Sequence, residues 1–334
     1  MNNEFDNVIY YSHKKLNSIS IYLRYFILFS FMISATFLLA RNENAGTNGF
    51  AFMKVNYSAR AMGMANAFSA LANDADAVFF NPAGLANMTG DQVKTTYMNY
   101  IEGLQGGSAV FTAKLPTEWT VAPFINFLVS DEMPKTFETN LGYGGQNGTF
   151  NTFSMVIGAG FGRNVNHMFD VGFNLKYFYE NLDQSNASAV AADFAVLHQT
   201  ENDNLKIGAA IQNLGWQIDH YTEAKYEEGM PLVFVGSASY RLGEKGYLNF
   251  DLVRPFDNDF YGRLGVEFYY NQYFTIRGGL DSRMNDYRTS QSVDVFSGLT
   301  MGLGFNWNKQ RIDYAISSMG GLGLVNQISL AYLF

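Results

Sequence analysis

The chain has 334 residues, a formal net charge of −8 at pH 7 and no cysteine. The acidic balance argues against nucleic acid as a partner, and the lack of cysteine excludes disulfides and thiolate metal sites. Aromatic residues make up 16% of the chain, beside 32 glycines and only 6 prolines, which favours strands and tight turns over helices.

Residues 1–40 have the composition of an export signal. Lys14, Lys15 and Arg24 precede an uncharged apolar run over residues 25–40, and a polar segment follows at once. A basic region, a short apolar region and small residues near its end are typical of a secretory signal peptide, which predicts cleavage after Ala40. The alternative is a permanent anchor, although the run is shorter than the roughly 20 residues that a spanning helix needs.

Residues 41–90 are predicted to form a hatch that precedes the strands. Residues 59–72 are rich in Ala, Gly, Met and Ser, and we expect them to form a compact helical stretch. Their small side chains would fit inside a barrel lumen. Two hypotheses remain open, a static plug that prevents leakage and a mobile hatch in which Gly63 supplies backbone freedom.

Residues 73–90, NDADAVFFNPAGLANMTG, are predicted to join the hatch to the first strand. Pro82 disfavours a helical conformation at Asn81, so the hatch helix is expected to stop there. Ala83 and Gly84 are then expected to turn the chain toward the strands.

The acidic part of this joint raises the question of a cation site. Asn73, Asp74 and Asp76 carry oxygens of the kind that bind calcium, but they lack a spaced ligand loop ending in Glu. The favoured interpretation is therefore that these residues end a helix and are solvated polar groups beside the hatch. No metal or cofactor is predicted. The hatch and joint residues singled out are Arg60, Gly63, Asp74, Asp76, Asn81, Pro82 and Gly84.

After residue 91 the dominant period of the sequence is two. From Phe169 to Tyr179, apolar residues alternate with polar residues and glycine. Because a strand points successive side chains to opposite sides, this pattern gives one apolar face and one polar face. Such segments predict about fourteen strands of roughly 9 to 13 residues. They begin near Gln92, Gly106, Trp119, Phe150, Phe169, Ala187, Leu205, Leu232, Tyr247, Gly262, Phe274, Val295, Arg311 and Val325.

Two architectures give this alternation, a soluble sandwich and a membrane barrel. A soluble sandwich of this size needs many surface charges, yet only 16% of the residues are charged. Export and alternating strands of about 10 residues with aromatic residues toward their ends are typical of an outer-membrane barrel. The predicted fold is all-β, a transmembrane antiparallel β-barrel over residues 91–334 with the hatch in its lumen. Longer loops are predicted at residues 131–148, 219–231 and 281–292.

The polar face of the predicted strands carries charges of both signs. Residues two or four apart in one strand share a face, so ion pairs that rigidify the barrel are expected within strands. A charge-selective pore, the alternative, would need an excess of one sign at a constriction. The expected pairs are Asp170 with Lys176, Arg263 with Glu267, Arg277 with Asp281, and Arg311 with Asp313.

The last strand ends the chain on an aromatic residue. Ile328, Leu330, Tyr332 and Phe334 share its apolar face. We expect the barrel assembly machinery to recognise this strand.

Four histidines, His13, His167, His198 and His220, are scattered along the chain. No metalloprotease, Walker or nucleophile-elbow motif is present. The sequence therefore predicts no enzymatic activity.

Residues 48–88 combine an aromatic-rich start, an Ala-Arg-Ala-x-Gly-Met run, an acidic small-residue segment and Asn-Pro-Ala-Gly-Leu. This combination resembles the opening of mature PorV/PorQ-family proteins, relatives of the FadL-type long-chain fatty-acid transporters. Residues 207–215, residues 311–316 and the ending GLVNQISLAYLF agree with it, so the resemblance covers nearly the whole mature chain. Gly84 departs from the Asn-Pro-Ala-Leu of the PorQ branch and favours the PorV-like side or the family members without an assigned role.

The resemblance implies a barrel of about fourteen strands in the outer membrane of a Gram-negative, Bacteroidetes-like bacterium. It implies two roles: passage of hydrophobic small molecules through a porin-like, hatch-gated lumen, or binding and shuttling of secreted cargo proteins for a type IX secretion system. A purely structural barrel is the third possibility. The expected partners are outer-membrane lipids, the assembly machinery, and either hydrophobic solutes or cargo proteins.

Overall fold

The computed structural model describes residues 46–140, 142–287, 289 and 292–334. The predicted signal peptide, residues 1–40, lies outside the described residues. Two short α-helices are present, α1 (Ala59–Met62) and α2 (Ala77–Phe80). Turns of 3-10 helix cover Ala51–Lys54, Pro82–Asn87, Ser282–Asn285, Ser292–Phe296 and Gly320–Leu322.

Sixteen strands follow the helices along the described chain. They are β1 (Gln92–Asn99), β2 (Leu104–Lys114), β3 (Trp119–Ser130), β4 (Met133–Thr139), β5 (Gly142–Phe150), β6 (Thr152–Asn166), β7 (Phe169–Leu182), β8 (Ser185–Gln199), β9 (Leu205–Asp219), β10 (Val233–Arg241), β11 (Gly246–Pro255), β12 (Tyr261–Tyr269), β13 (Phe274–Asp281), β14 (Leu299–Trp307), β15 (Gln310–Ser318) and β16 (Leu324–Leu333).

Fourteen of these strands close into one antiparallel barrel. Each pairs with the next along the chain, β3 pairs directly with β6, and β1 closes the ring against β16. The remaining two, β4 and β5, form a separate hairpin between β3 and β6. The predicted fold class, a closed barrel of fourteen antiparallel strands with short helices in the N-terminal region, is confirmed.

The two faces of each barrel strand have opposite environments. In β14, Met301 and Leu303 are 69% and 60% exposed, while Thr300 between its apolar neighbours is buried at 5%. The apolar faces thus point away from the lumen and the polar faces point into it, the reverse of a soluble sandwich. An apolar exterior around a closed ring, in which every strand edge is paired, is what a lipid bilayer requires. In the described part of the chain, no helix is long and apolar enough to cross a membrane.

Most strand positions agree with the predicted ones, and two regions differ. The predicted loop over residues 131–148 contains the hairpin β4–β5, whose side chains are exposed on both faces, so the sequence there shows no alternation. The strand predicted from Val295 begins at Leu299, because Ser292–Phe296 forms a turn of 3-10 helix. Strands β6 to β9 have 14 or 15 residues and are longer than predicted.

The connections differ in length between the two ends of the barrel. At the short-turn end, strands are joined by residues 115–118, 167–168, 200–204, 242–245, 270–273 and 308–309. The opposite long-loop end carries the β4–β5 hairpin, residues 220–232, 256–260 and 282–298.

The described part of the hatch, residues 46–90, fills the lumen and supplies most of the buried apolar core. The compact helix expected over residues 59–72 is not continuous. Helix α1 ends at Met62, and Ala65, Asn66 and Ala72 have left-handed backbones with φ of 53°, 62° and 23°. After the helix the N–H of Ala65 donates both to the carbonyl of Met62 at 3.0 Å and to Thr300 Oγ1 of the barrel wall at 2.9 Å.

The Asn-Pro joint stops a helix as expected. Helix α2 ends at Phe80, and Asn81 has an extended backbone with φ −155° and ψ 96°. The next residues do not form a simple turn. Pro82 starts the 3-10 helix Pro82–Asn87, and the Asn81 side chain caps it by accepting a hydrogen bond from the N–H of Ala83 at 3.1 Å.

Candidate functional site

The hatch is fastened to the wall by hydrogen bonds from its backbone to lumen-facing side chains. Asp251 Oδ2 on β11 accepts from the N–H groups of Phe68 and Ser69 at 3.3 and 3.2 Å and from the Ser69 hydroxyl at 2.6 Å. On β16, Ser329 Oγ accepts from the N–H of Ala59 at 3.0 Å. These bonds satisfy hatch N–H groups that the short helices leave without a partner.

Glycines on both sides allow the backbones to touch. A Cβ added to Gly63 would lie 2.9 Å from the Cα of Gly302 on β14. The backbone of Gly63 is ordinary right-handed helical, with φ −60° and ψ −14°. Its glycine therefore allows close packing in the closed hatch, and the hinge role expected from backbone freedom stays a prediction. At the joint, a Cβ on Gly84 would lie 2.0 Å from the carbonyl oxygen of Ala72.

A buried carboxylate on β12 forms the centre of the charged contacts. Glu267 receives Arg60 of the hatch through two bonds, Nη2 to Oε1 at 2.6 Å and Nε to Oε2 at 2.8 Å. Arg277 Nε on β13 donates to Oε2 at 2.7 Å, and Arg311 Nη2 on β15 lies 3.7 Å from the same oxygen. This bidentate contact between Arg60 and Glu267 fixes both the distance and the orientation of the hatch relative to β12.

Two hatch carboxylates extend these contacts to the first strand. Asp74 lies 2.9 Å from Arg60 Nη1 and 3.2 Å from Lys94 Nζ on β1, and Lys94 also pairs with Asp76. Burial raises the pKa of Asp76 to about 6, helped by the neighbouring charge of Asp74. Burial opposes the ionisation of Asp74 as well, but Lys94 and Arg60 outweigh it and hold the pKa of Asp74 below its usual range.

Together these groups form what we call the ion-pair cluster. It contains four cations and four carboxylates, so it is neutral when all are ionised. Removing any one member leaves a buried charge without its counterpart, which is costly. Its members are Arg60, Asp74, Asp76, Lys94, Glu267, Arg277, Arg311 and Asp313.

Lumen charges pair mainly across strands, not along them. Of the four expected pairs, Arg311 and Asp313 do meet, with Nε 2.8 Å from Oδ2. Arg263 pairs with Asp281, with 3.7 Å between Nε and Oδ2. Arg277 pairs with Glu267 and Asp313.

The remaining expected pair is also split. Lys176 contacts Asp193 on β8 at 2.6 Å, and Asp170 accepts from Asn87 of the hatch at 2.6 Å. The pattern of strand pairing decides these partners, because neighbouring strands bring opposite charges to the same height of the lumen. The solvated polarity expected for Asp74 and Asp76 is wrong, because both side chains are buried against the cations of Arg60 and Lys94.

Sequence reasoning missed two important lumen residues. Lys94 and Asp251 lie on polar faces of their strands, as the period of two already indicates for Gln92 to Thr96 and for Asn249 to Val253. The alternation thus marks both side chains as lumen-facing.

Between the hatch and the wall, on the long-loop side, lie two small adjacent cavities. One of about 70 Å³ has a mixed lining, which includes the apolar side chains of Phe79, Val233 and Val253 and the charged side chains of Arg263 and Arg283. The other, of about 50 Å³, has a mixed lining, with Phe124 and Phe178 on one hand and Lys176 and Asp193 on the other. Each is smaller than the roughly 150 Å³ that holds a benzene molecule in an engineered protein cavity. A solute of the size of benzene therefore fits between the hatch and the wall only if the hatch moves.

The barrel wall has a gap beside these cavities. Strand β9 continues to Asp219, but β10 begins at Val233 opposite Gln212, so among the described residues the last seven of β9 lack a barrel partner on that side. Asn213 marks the change with a left-handed backbone of φ 64°. The gap is covered by Asn48, which pairs with Gly229 and donates from Nδ2 to the carbonyl of Met230 at 3.1 Å.

The fold recurs in solved structures, although no protein-family model and no curated protein sequence matches the chain. The Pseudomonas putida toluene transporter TodX is similar with a TM-score of 0.58 and 14% identity, over 83% of this chain and 96% of that one. The CymD monoaromatic hydrocarbon channel gives 0.59 and 12%, over 84% and 98%. A Pseudomonas aeruginosa FadL homologue gives 0.53 and 12%, over 83% and 98%. The chain has the fold of these FadL-type barrels. At such low identity the likeness concerns the fold alone.

Proposed function

We propose that this protein is an outer-membrane channel for hydrophobic solutes, with the hatch closing its lumen and the long-loop end facing outward. The observation that carries the proposal is the gap in the barrel wall beside β9, next to two cavities of mixed polar and apolar lining on the long-loop side of the hatch, inside a barrel with an apolar exterior. Short turns at the periplasmic end and longer loops outside are the usual arrangement of such barrels. The likeness to a toluene transporter and a monoaromatic hydrocarbon channel supports it.

The gap beside β9 supplies a route from these cavities toward the membrane. Asn48 and Gly229 close it as bridge partners, and Leu214, Leu232 and Phe256 line a space of about 330 Å³ next to them. A solute that displaces the segment around Asn48 passes from the lumen sideways into apolar surroundings. In this proposal the segment around Asn48 is the part of the hatch that moves.

A disulfide across the gap tests this function. Neighbouring strands lie about 4.8 Å apart, within the range of about 4.4–6.8 Å between the Cα atoms of a disulfide. The natural chain has no cysteine that would interfere. Asn48→Cys combined with Gly229→Cys should therefore lock the segment when oxidised.

The readout is uptake of labelled toluene and labelled oleate by cells of a Gram-negative host that lacks such a channel. Wild type should raise uptake of at least one probe, the oxidised double variant should fall to the level of the empty host, and reduction should restore it. The single variant Asn48→Cys is the matched control. No uptake of either probe by the wild type would contradict the channel, and unchanged uptake after locking would favour a static plug.

A second candidate function is favoured by the β4–β5 hairpin. Phe137 and Tyr143 are 47% and 71% exposed on it, beyond the closed ring, and Lys135 pairs with Asp183 of a neighbouring turn. Exposed aromatic side chains suit contacts with a protein partner. If the hairpin binds a secreted protein, the chain would be a PorV/PorQ-type component of type IX secretion. The sequence resemblance at residues 59–64 and 81–85 supports this assignment. Co-purification of a secreted protein that is lost when residues 133–150 are deleted would support this function over transport.

A further inference from the structure

A groove runs along the lipid-facing side of the barrel across β8 to β11. It has a volume of about 580 Å³. Ala209 and Gly236 form its floor, and Phe194, Phe234 and Leu252 form its sides. A Cβ added to Gly236 would meet no atom within 4 Å, so the space above this glycine is open. The hollow thus exists because small residues stand where neighbouring strands carry large ones.

One end of the groove carries a cation. Arg254, the penultimate residue of β11, lines it near the long-loop end, with its guanidinium 4.6 Å from the ring centre of Phe260. Its Nη1 donates to the carbonyl of Asn258 at 3.1 Å, and no carboxylate of the described residues forms an ion pair with it. A lipid-facing arginine is costly at mid-membrane but tolerated near the interface. Arg254 therefore marks the height of the lipid headgroups.

We propose that this groove binds lipid A of the outer leaflet, with one acyl chain over Ala209 and Gly236 and a phosphate on Arg254. An apolar trough takes a hydrocarbon chain through burial of apolar surface. The planar guanidinium matches a phosphate through paired N–H groups. The inference rests on the proposed function only for the orientation, because the long-loop end must face the leaflet that contains lipid A.

The barrel offers a matched control for filling the groove. Gly278 on β13 faces outward, and a Cβ there would also meet no atom within 4 Å. Gly236→Leu fills the groove, whereas Gly278→Leu adds the same side chain to another part of the lipid-facing wall. Neither change touches the lumen, so both variants should fold.

The test is native mass spectrometry of the full mature barrel in detergent, titrated with bisphosphorylated lipid A. Wild type and Gly278→Leu should retain one lipid A molecule. Gly236→Leu and Arg254→Gln should each weaken binding about tenfold, a loss that corresponds to about 1.4 kcal/mol. A dephosphorylated lipid A should bind the wild type as weakly as intact lipid A binds Arg254→Gln.

Three outcomes would overturn the site: equal binding by Gly236→Leu and wild type, no effect of removing the phosphates, or equal retention of phosphatidylglycerol and lipid A. Toluene uptake separates this inference from the transport proposal. Gly236→Leu should lose the lipid while keeping wild-type uptake, because the groove lies outside the lumen. A failure of transport in the wild type would leave the lipid titration as an independent measurement.

Discussion

Glu267 offers the sharpest test of how the hatch is held. Its side chain is fully buried and contacts Arg60, Arg277 and Arg311. Glu267→Gln keeps the size of the side chain but removes one negative charge from a neutral cluster, so the three arginines retain an excess positive charge. Breaking a buried ion pair in this way costs about 3–5 kcal/mol. The hydrogen bonds between Glu267 and Arg60 join the hatch to the wall. The substitution should therefore reduce the free energy of hatch closure more than the stability of the paired strands.

Hydrogen–deuterium exchange in liposomes measures the effect. Amides of the hatch such as Gly63, bonded to Ala59 at 3.0 Å, and Ala65, bonded to Thr300, report on closure. At about 1.4 kcal/mol per factor of ten, their exchange should accelerate about 10²- to 10⁴-fold. Amides of the barrel strands serve as the internal reference and should change far less.

Two further variants decide the interpretation. Glu118→Gln removes a carboxylate from an exposed ion pair with Arg163 and should change exchange by less than about tenfold. Replacing Arg60 and Glu267 together by Met should recover part of the lost protection, since apolar residues of similar volume often substitute for a buried pair. Hatch exchange in Glu267→Gln within twofold of wild type would refute the reasoning.

Four other predictions concern packing, pH, the membrane and assembly. Gly63→Ala should destabilise hatch closure by about 1–3 kcal/mol in the same exchange assay, because its Cβ has no room against Gly302; Gly278→Ala, which has room, should not. Because the pKa of Asp76 is raised to about 6, the closed hatch binds this proton more tightly than an open one. Closure should therefore weaken as pH rises from about 4 to about 6 and level off above, and Asp76→Asn should abolish that slope. Leu303→Arg, mid-strand on the lipid face, should cost about 2–4 kcal/mol in urea titrations of liposome folding, against about 0–1 for Trp307→Arg at the strand end; equal costs would contradict the inferred depth. Combining Tyr332→Ala with Phe334→Ala, whose rings are 5.2 Å apart, should lower the heat-modifiable barrel fraction on gels, whereas normal yield would argue against recognition of this strand.

The barrel could be predicted because alternation is a local property of each strand. Every strand with an apolar outer face and a polar inner face shows it, and only β4 and β5, exposed on both sides, were missed. The contacts of the hatch could not be predicted in the same way. Arg60 and Glu267 are 207 residues apart, and their meeting depends on the register of the whole ring. Gly63 shows a further limit, since a glycine required by a contacting backbone looks the same in sequence as one required for flexibility.

The closure of the ring against the hatch has a consequence for the order of events during biogenesis. The hatch bonds to strands at both ends of the barrel sequence, including Lys94 on β1 and Ser329 on β16, and those two strands are the seam that completes the cylinder. Closing the seam and seating the hatch therefore form contacts on the same two strands. We expect residues 46–90 to be enclosed as β1 and β16 pair, so that a change in the hatch affects closure of the wall.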